Sequence, residues 1–145
     1  MLISARDRWA GLEIGDKNAR LWVSPFDISS QDNLKKKIYN KLFRTLLLSS
    51  YNLSEEDMFV YAKKLLQYKP KVIVGYPSPL HHFAKFLKRN EIKGINPKSI
   101  ISSAEVLYNY QRELIESVFQ CRVFNRYRCR EFSTIAQECS EHSGM

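Results

Sequence analysis

The sequence predicts an α/β fold in which alternating βαβ units build a mainly parallel sheet flanked by helices. Three observations lead there. Short apolar runs rich in Val, Ile and Leu recur along the chain. The stretches between them, about ten to fifteen residues long, repeat their apolar positions at helical spacing, the signature of crossover connections between parallel strands. Turn-forming segments follow directly on the strand-like runs, the place where ligands bind in open parallel sheets.

Ala19 to Val23 reads as the first strand. Gln31 to Arg44 reads as a basic amphipathic helix with Leu34, Ile38 and Leu42 on one face, and Thr45 to Leu48 as a short buried strand. Ser54 before Glu55, Glu56 and Asp57 is an N-cap followed by acidic first-turn residues. It opens a helix whose Phe59, Ala62, Leu65 and Leu66 share a face, and Pro70 stops it. Lys71 to Gly75 is the next strand. Ser78-Pro79 reads as an N-cap with proline at the first helical position, before Leu80, Phe83, Ala84 and Leu87 at helical spacing. Ile100-Ile101 is a strand, residues 108–119 a helix with Leu114, Ile115 and Val118 inward, and Arg122 to Phe124 a strand. Residues 140–145 read as loop.

A chain of 145 residues is one domain or a piece of a larger one. Its 44% hydrophobic content excludes a disordered chain, and no apolar run approaches the roughly 20 residues of a membrane span. The first residues lack a secretory leader pattern. Three cysteines, Cys121, Cys129 and Cys139, argue against a disulfide scaffold and for a reducing cytoplasm. The net charge of +8 is uneven: residues 1–100 carry +9 and residues 101–145 carry −1. A basic balance suits an anionic partner such as a nucleotide, CoA or nucleic acid. The Lys35-Lys36-Lys37 run reads as a solvated helix face. It lacks the interleaved aromatics of a nucleic-acid patch.

The segment from Asn125 to Phe132 carries the most chemistry. Tyr127 sets an aromatic ring four residues before Glu131, a pairing in which the ring can stack on a base and the acid can hold the magnesium that travels with the phosphates. Alone, the pair also reads as a core aromatic and a solvated acid partnered by Arg130. Gly75 and Pro77 read first as turn formers, and Ser78 as a cap rather than a nucleophile, since no base accompanies it. Glu105 reads equally as a helix-entry acid or a pocket residue. His81 and His82 read as solvated or edge-packed.

Taken together, Val74-Gly75-Tyr76-Pro77-Ser78, Ser102 to Leu107, Tyr127 with Glu131, and Ile135 to Cys139 resemble the phenylacetate–CoA ligase family of adenylate-forming enzymes, including its CapK-like polysaccharide-biosynthesis branch. The Trp9-Ala10-Gly11 and Gly15-Asp16 segment is similar to the family's turn before its first strand here. The resemblance implies an AMP-forming carboxylate–CoA ligase. ATP would activate a carboxylic acid, aromatic in the namesake family, to an acyl-adenylate that passes to CoA. It implies nucleotide binding by Ser103, Ala104, Glu105, Tyr127 and Arg128, with Glu131 on magnesium. Some members bind zinc through a cysteine at the position of Cys139. His142 does not match the family's histidine position, and two ligands leave a tetrahedral site open. The family's glycines after the tyrosine and after the aromatic that follows the glutamate are Arg128 and Ser133 here. The resemblance implies ATP, CoA and the acid as partners, leaves a homodimer open, and assigns no catalytic residue within this stretch.

No Ser/Thr/Gly-rich phosphate loop with a following lysine occurs in the sequence, nor the family's ribose-binding aspartate or its C-terminal domain with the catalytic lysine. Residues 1–145 are therefore expected to be a partial AMP-binding domain, an internal part of the large N-terminal domain cut on both sides. By itself this chain is expected to be inactive, with exposed sheet edges. The alternative is a non-catalytic basic module for an anionic partner such as nucleic acid.

Overall fold

A computed structural model describes residues 8–21, 38, 40–51, 53–129 and 133–139. Six strands form one sheet in the order β2-β1-β3-β4-β5-β6. They are β1 (Asn18–Leu21), β2 (Thr45–Leu48), β3 (Val72–Gly75), β4 (Ser99–Ser103), β5 (Arg122–Cys129) and β6 (Ser133–Gln137). The first five are parallel, and β6 returns antiparallel to β5. Among the described residues three helices make crossovers: α1 (Glu55–Tyr68), α2 (Pro77–Arg89) and α3 (Asn109–Phe119). The predicted fold class holds.

All three helices pack on the same face of the sheet. Ala19, Ile73, Ile100 and Val123 lie side by side in register and share one core with Ala62, Leu65, Leu80, Phe83, Leu87, Ile115 and Phe119. Phe83, Phe119, Leu80 and Ile115 are fully buried, each contributing about 1.5–3 kcal/mol of burial. On the opposite face Ala10 and Leu12 cover Val72, Ile101 and Phe124. The turn that brings them there bends at Gly11, whose φ of 78° favours glycine.

Several element boundaries differ from expectation for identifiable reasons. α2 begins two residues earlier than Ser78-Pro79 suggests: Tyr76 is the N-cap and Pro77 the first helical residue. Both prolines fit, because the first N–H groups of a helix lack intrahelical partners. α1 is capped by Ser54 as expected, its Oγ accepting the Asp57 amide at 3.1 Å. Phe59, however, is 49% exposed, and the buried stripe is Met58, Tyr61, Ala62 and Leu65. Its ring instead meets the Phe86 edge at the rim, 4.7 Å between centroids. In α3, Ile115 is fully buried while Leu114 and Val118 only flank the core.

Trp22, Val23 and Leu34 lie outside the described residues. Ile38 and Leu42 are both exposed, so the apolar stripe expected there is not buried. β2 lies at one edge of the sheet. Gly75 is the last residue of β3 rather than a turn former. A Cβ there would stand 3.1 Å from the Leu21 carbonyl oxygen and 3.1 Å from Leu80 Cγ. Glycine thus permits β1 and α2 to close together on β3. β5 runs on to Cys129 and pairs with β6, a hairpin the apolar pattern does not reveal, because its outer half is polar.

Candidate functional site

The motif segments meet at the C-terminal end of the parallel strands. Gly75, Ser102 and Asn125 are register partners, and Ser103 lies level with Arg126. Tyr127 stands one step further out, on β5 and opposite Ala136 of β6. It is thus a strand residue, not a turn residue after a strand. Its side chain is 57% exposed, which sets aside the core-aromatic reading and leaves a ring face open to a ligand.

Between β4 and α3 the chain turns sharply. Ser103 is fully buried, and the next residue, Ala104, takes a φ of 72°, a conformation L-residues enter at a cost of about 1–2 kcal/mol. This left-handed step throws Glu105 across to the neighbouring loop. Its Oε2 accepts the Ser78 hydroxyl at 2.6 Å and the Ser78 amide at 3.2 Å. Glu105 therefore caps α2, the helix after β3. The helix-entry reading named the right kind of interaction and the wrong helix. Ser78 donates its hydroxyl to this carboxylate. The carboxylate at a helix N-terminus is also favoured by the positive end of the helix dipole. Glu105 thus ties two of the three motif loops together.

The hydroxyls of Ser102 and Ser103 are buried and without a hydrogen-bond partner. A buried hydroxyl in that state costs about 1–3 kcal/mol, and as consecutive strand residues the two point to opposite faces of the sheet. Beside them lies an aromatic row. Tyr108 and Tyr110 stack with centroids 5.8 Å apart, and the His81 ring meets Tyr110 edge-on at 5.4 Å. Both tyrosines are more than half exposed. Burial lowers the pKa of His81 below 6.5, with Lys85 and His82 adding to the effect. Sequence reading passed over Tyr108 and Tyr110 because their pairing with His81 depends on α2 and α3 lying side by side.

For Arg128 the description covers the backbone, in β5 opposite Thr134, where a register irregularity follows Tyr127. Glu131, Arg130 and His142 lie outside the described residues. Cys139 is half-buried and in no disulfide. Among the described residues no three His, Cys, Asp or Glu side chains converge on a metal site, so the described residues do not build a zinc centre around Cys139. No described helix is long and apolar enough to cross a membrane.

No protein-family model matches the chain. It is 33% identical to protein CapK of Staphylococcus aureus over 111 residues, 74% of this chain and 25% of CapK. Solved structures with this fold include 2-hydroxyisobutyryl-CoA ligase in the postadenylation state with 2-HIB-AMP, at 16% identity and a TM-score of 0.70 over 94% of this chain and 30% of that one. Anthranilate CoA ligase AuaEII in complex with anthranoyl-AMP has a TM-score of 0.63 at 16% identity, over 90% of this chain and 25% of its own. Malonyl-CoA ligase with methylmalonyl-CoA and AMP bound gives 0.60 at 18% identity, over 92% of this chain and 28% of its own. These proteins lead away from the basic binding-module alternative. The chain spans about a quarter to a third of the length of the proteins it matches. Its identity to CapK and the fold it shares with these acyl-CoA ligases are those of a fragment of the CapK-like, adenylate-forming family.

Proposed function

We propose that this chain is part of an AMP-forming acid–CoA ligase that activates a carboxylic acid with ATP and passes the acyl group to CoA. The observation that carries the reading is the shared register edge of Ser103, Ala104, Glu105 and Tyr127, since parallel sheets bind ligands beyond the C-terminal ends of their strands. Tyr127 packs on the adenine. The left-handed step at Ala104 shapes the loop that lines it, and Glu105 holds that loop against α2. Arg128 adds positive charge near the phosphates.

In the reaction a carboxylate oxygen of the acid attacks the α-phosphorus, the bond to the bridging oxygen breaks, and pyrophosphate leaves. The CoA thiol then attacks the acyl carbon and AMP departs. Magnesium suits Glu131, because this ion is commonly held by one or two carboxylates together with substrate phosphates. When bound, it offsets the charge on those phosphates. The exposed Tyr108 and Tyr110 rings, with half-buried His81 against Tyr110, favour an aromatic acid. ATP and CoA supply points to the cytoplasm. A role in polysaccharide biosynthesis follows the CapK branch. The chain by itself lacks a phosphate cradle and is inactive in this reading.

The test is acid-dependent ATP–pyrophosphate exchange by a full-length protein carrying this segment, across a panel of aromatic and aliphatic carboxylic acids. Exchange that is fastest with aromatic acids is expected. Exchange with aliphatic acids alone would overturn the substrate class, and exchange with none would overturn the reaction.

A further inference from the structure

Beyond Gln137, β6 no longer runs as a strand beside β5, and the outer edge of β5 from Val123 to Asn125 would present unpaired backbone groups. Side chains close it instead. The Val123 amide donates to Glu116 Oε1 at 2.8 Å. The Val123 carbonyl accepts Arg112 Nη1 at 2.6 Å. The Asn125 amide donates to Glu138 Oε2 at 2.8 Å, and the Asn125 carbonyl accepts the Glu138 amide at 3.0 Å. The other Glu138 oxygen pairs with Arg112 Nη2 at 2.7 Å, and the two side chains are 23% and 14% exposed.

Arg112 and Glu116 lie one turn apart on α3, so their side chains reach the same edge. Glu138 continues the line of β6. All but the Arg112–Glu138 pair act on Val123 and Asn125, four and two residues before Tyr127 on β5. A guanidinium fork that bonds a carbonyl and a carboxylate together fixes an angle as well as a distance, which a lysine ammonium cannot do. Edge protection alone would need no such convergence, since a single charge or a covering loop suffices.

We propose that Arg112, Glu138 and Glu116 are positioning residues for the nucleotide-binding edge. They clamp α3 to β5 and hold Asn125 so that the Tyr127 ring stands at the height of Ser103 and Ala104. The inference rests on the proposed nucleotide reading of Tyr127 and deepens it. A displaced Tyr127 ring loses binding to the adenine that is the same in the ground and transition states, which raises KM and leaves the saturated rate.

The test uses the full-length protein and its ATP–pyrophosphate exchange, comparing the parent with Arg112→Lys, Glu138→Gln and Glu116→Gln. Arg112→Lys and Glu138→Gln are expected to raise the KM for ATP about tenfold while the rate at saturating ATP stays near the parent's. Glu116→Gln keeps an acceptor for the Val123 amide and is expected to have the smallest effect. Hydrogen exchange at the Asn125 amide is expected to quicken in Glu138→Gln. A merely structural clamp would lower the amount of folded enzyme, and so the saturated rate, and leave the KM for ATP unchanged. That result, or unchanged exchange at Asn125, would overturn the proposal. A parent that shows no exchange would overturn the ligase reading and the positioning role with it. A parent that is active, with variants of unaltered KM, would overturn the positioning role alone.

Discussion

Replacing Glu105 by alanine removes both acceptor contacts that join the β4–α3 loop to the start of α2. The structure sets the size of the effect. The bond to the Ser78 hydroxyl is short and the one to its amide is longer, and both lie at the surface. A side-chain cap replaced by alanine costs about 0.5–2 kcal/mol. With solvent competing for the exposed carboxylate, about 1 kcal/mol is expected. For a chain near this length that lowers the unfolding midpoint by about 3–4 °C. Glu105→Gln retains an acceptor oxygen and loses the attraction of the charge to the helix dipole, about 0.3–1 kcal/mol. The order parent, Gln, Ala should therefore appear in thermal unfolding followed by circular dichroism. Ser78→Ala, which loses the hydroxyl contact and keeps the amide one, should cost less than Glu105→Ala, and the double variant should add little to Glu105→Ala. An alanine variant as stable as the parent, or fully additive effects of the two, would refute the cap.

Gly75→Ala should destabilise the fold by about 1–3 kcal/mol, read from urea midpoints, because the Leu21 carbonyl at 3.1 Å belongs to the backbone of β1 and cannot yield freely. Asp16 feels burial that raises its pKa, but Lys71 Nζ at 2.6 Å and the Glu13 amide at 2.8 Å hold it below 3.8 overall. The hydrogen bond that Lys71 donates to Asp16 in turn raises Lys71 above 10.5. The Asp16 share of stability is complete above the unfolded value of 3.8 and is lost as pH falls through its lowered folded value. The Lys71 share is complete below 10.5 and is lost as pH rises through its raised folded value. Asp16→Asn should flatten both arms of a stability–pH curve. Burial, then Glu116, pushes the Cys121 thiol up to about 12, so native Cys121 should resist alkylation at pH 8, as mass spectrometry of iodoacetamide-treated protein would show.

Much of the fold was legible because the local signals agreed with one another. The Val72–Gly75 and Ser99–Ser103 strands, the Ser54 cap and the α2 stripe of Leu80, Phe83, Ala84 and Leu87 follow from period and capping chemistry. The α/β alternation then fixed a mainly parallel sheet. What escaped depends on contacts distant in sequence. Phe59 has the right spacing for the core, but α1 rotates Met58 and Tyr61 inward against the sheet. The β5–β6 hairpin is half polar, since Arg126 and Gln137 pair as buried groups, with Arg126 Nε on Gln137 Oε1 at 2.6 Å. The arginines of β5 and the polar residues of β6 hide such a hairpin from a hydrophobic pattern. In the candidate site, the segments were readable as motifs and their common edge followed from the strand assignments. The capping of α2 by Glu105 across 27 residues and the clamp from Arg112 to Glu138 had no local signal at all.

Adenylate formation is the claim on which the functional account stands. The most direct measurement is ATP–pyrophosphate exchange in a full-length protein, comparing the parent with Glu131→Gln and Tyr127→Ala at saturating acid. The account predicts a strong loss of exchange in Glu131→Gln and a raised KM for ATP in Tyr127→Ala, with circular dichroism spectra like the parent's. Exchange at the parent's rate and KM in both variants would contradict it.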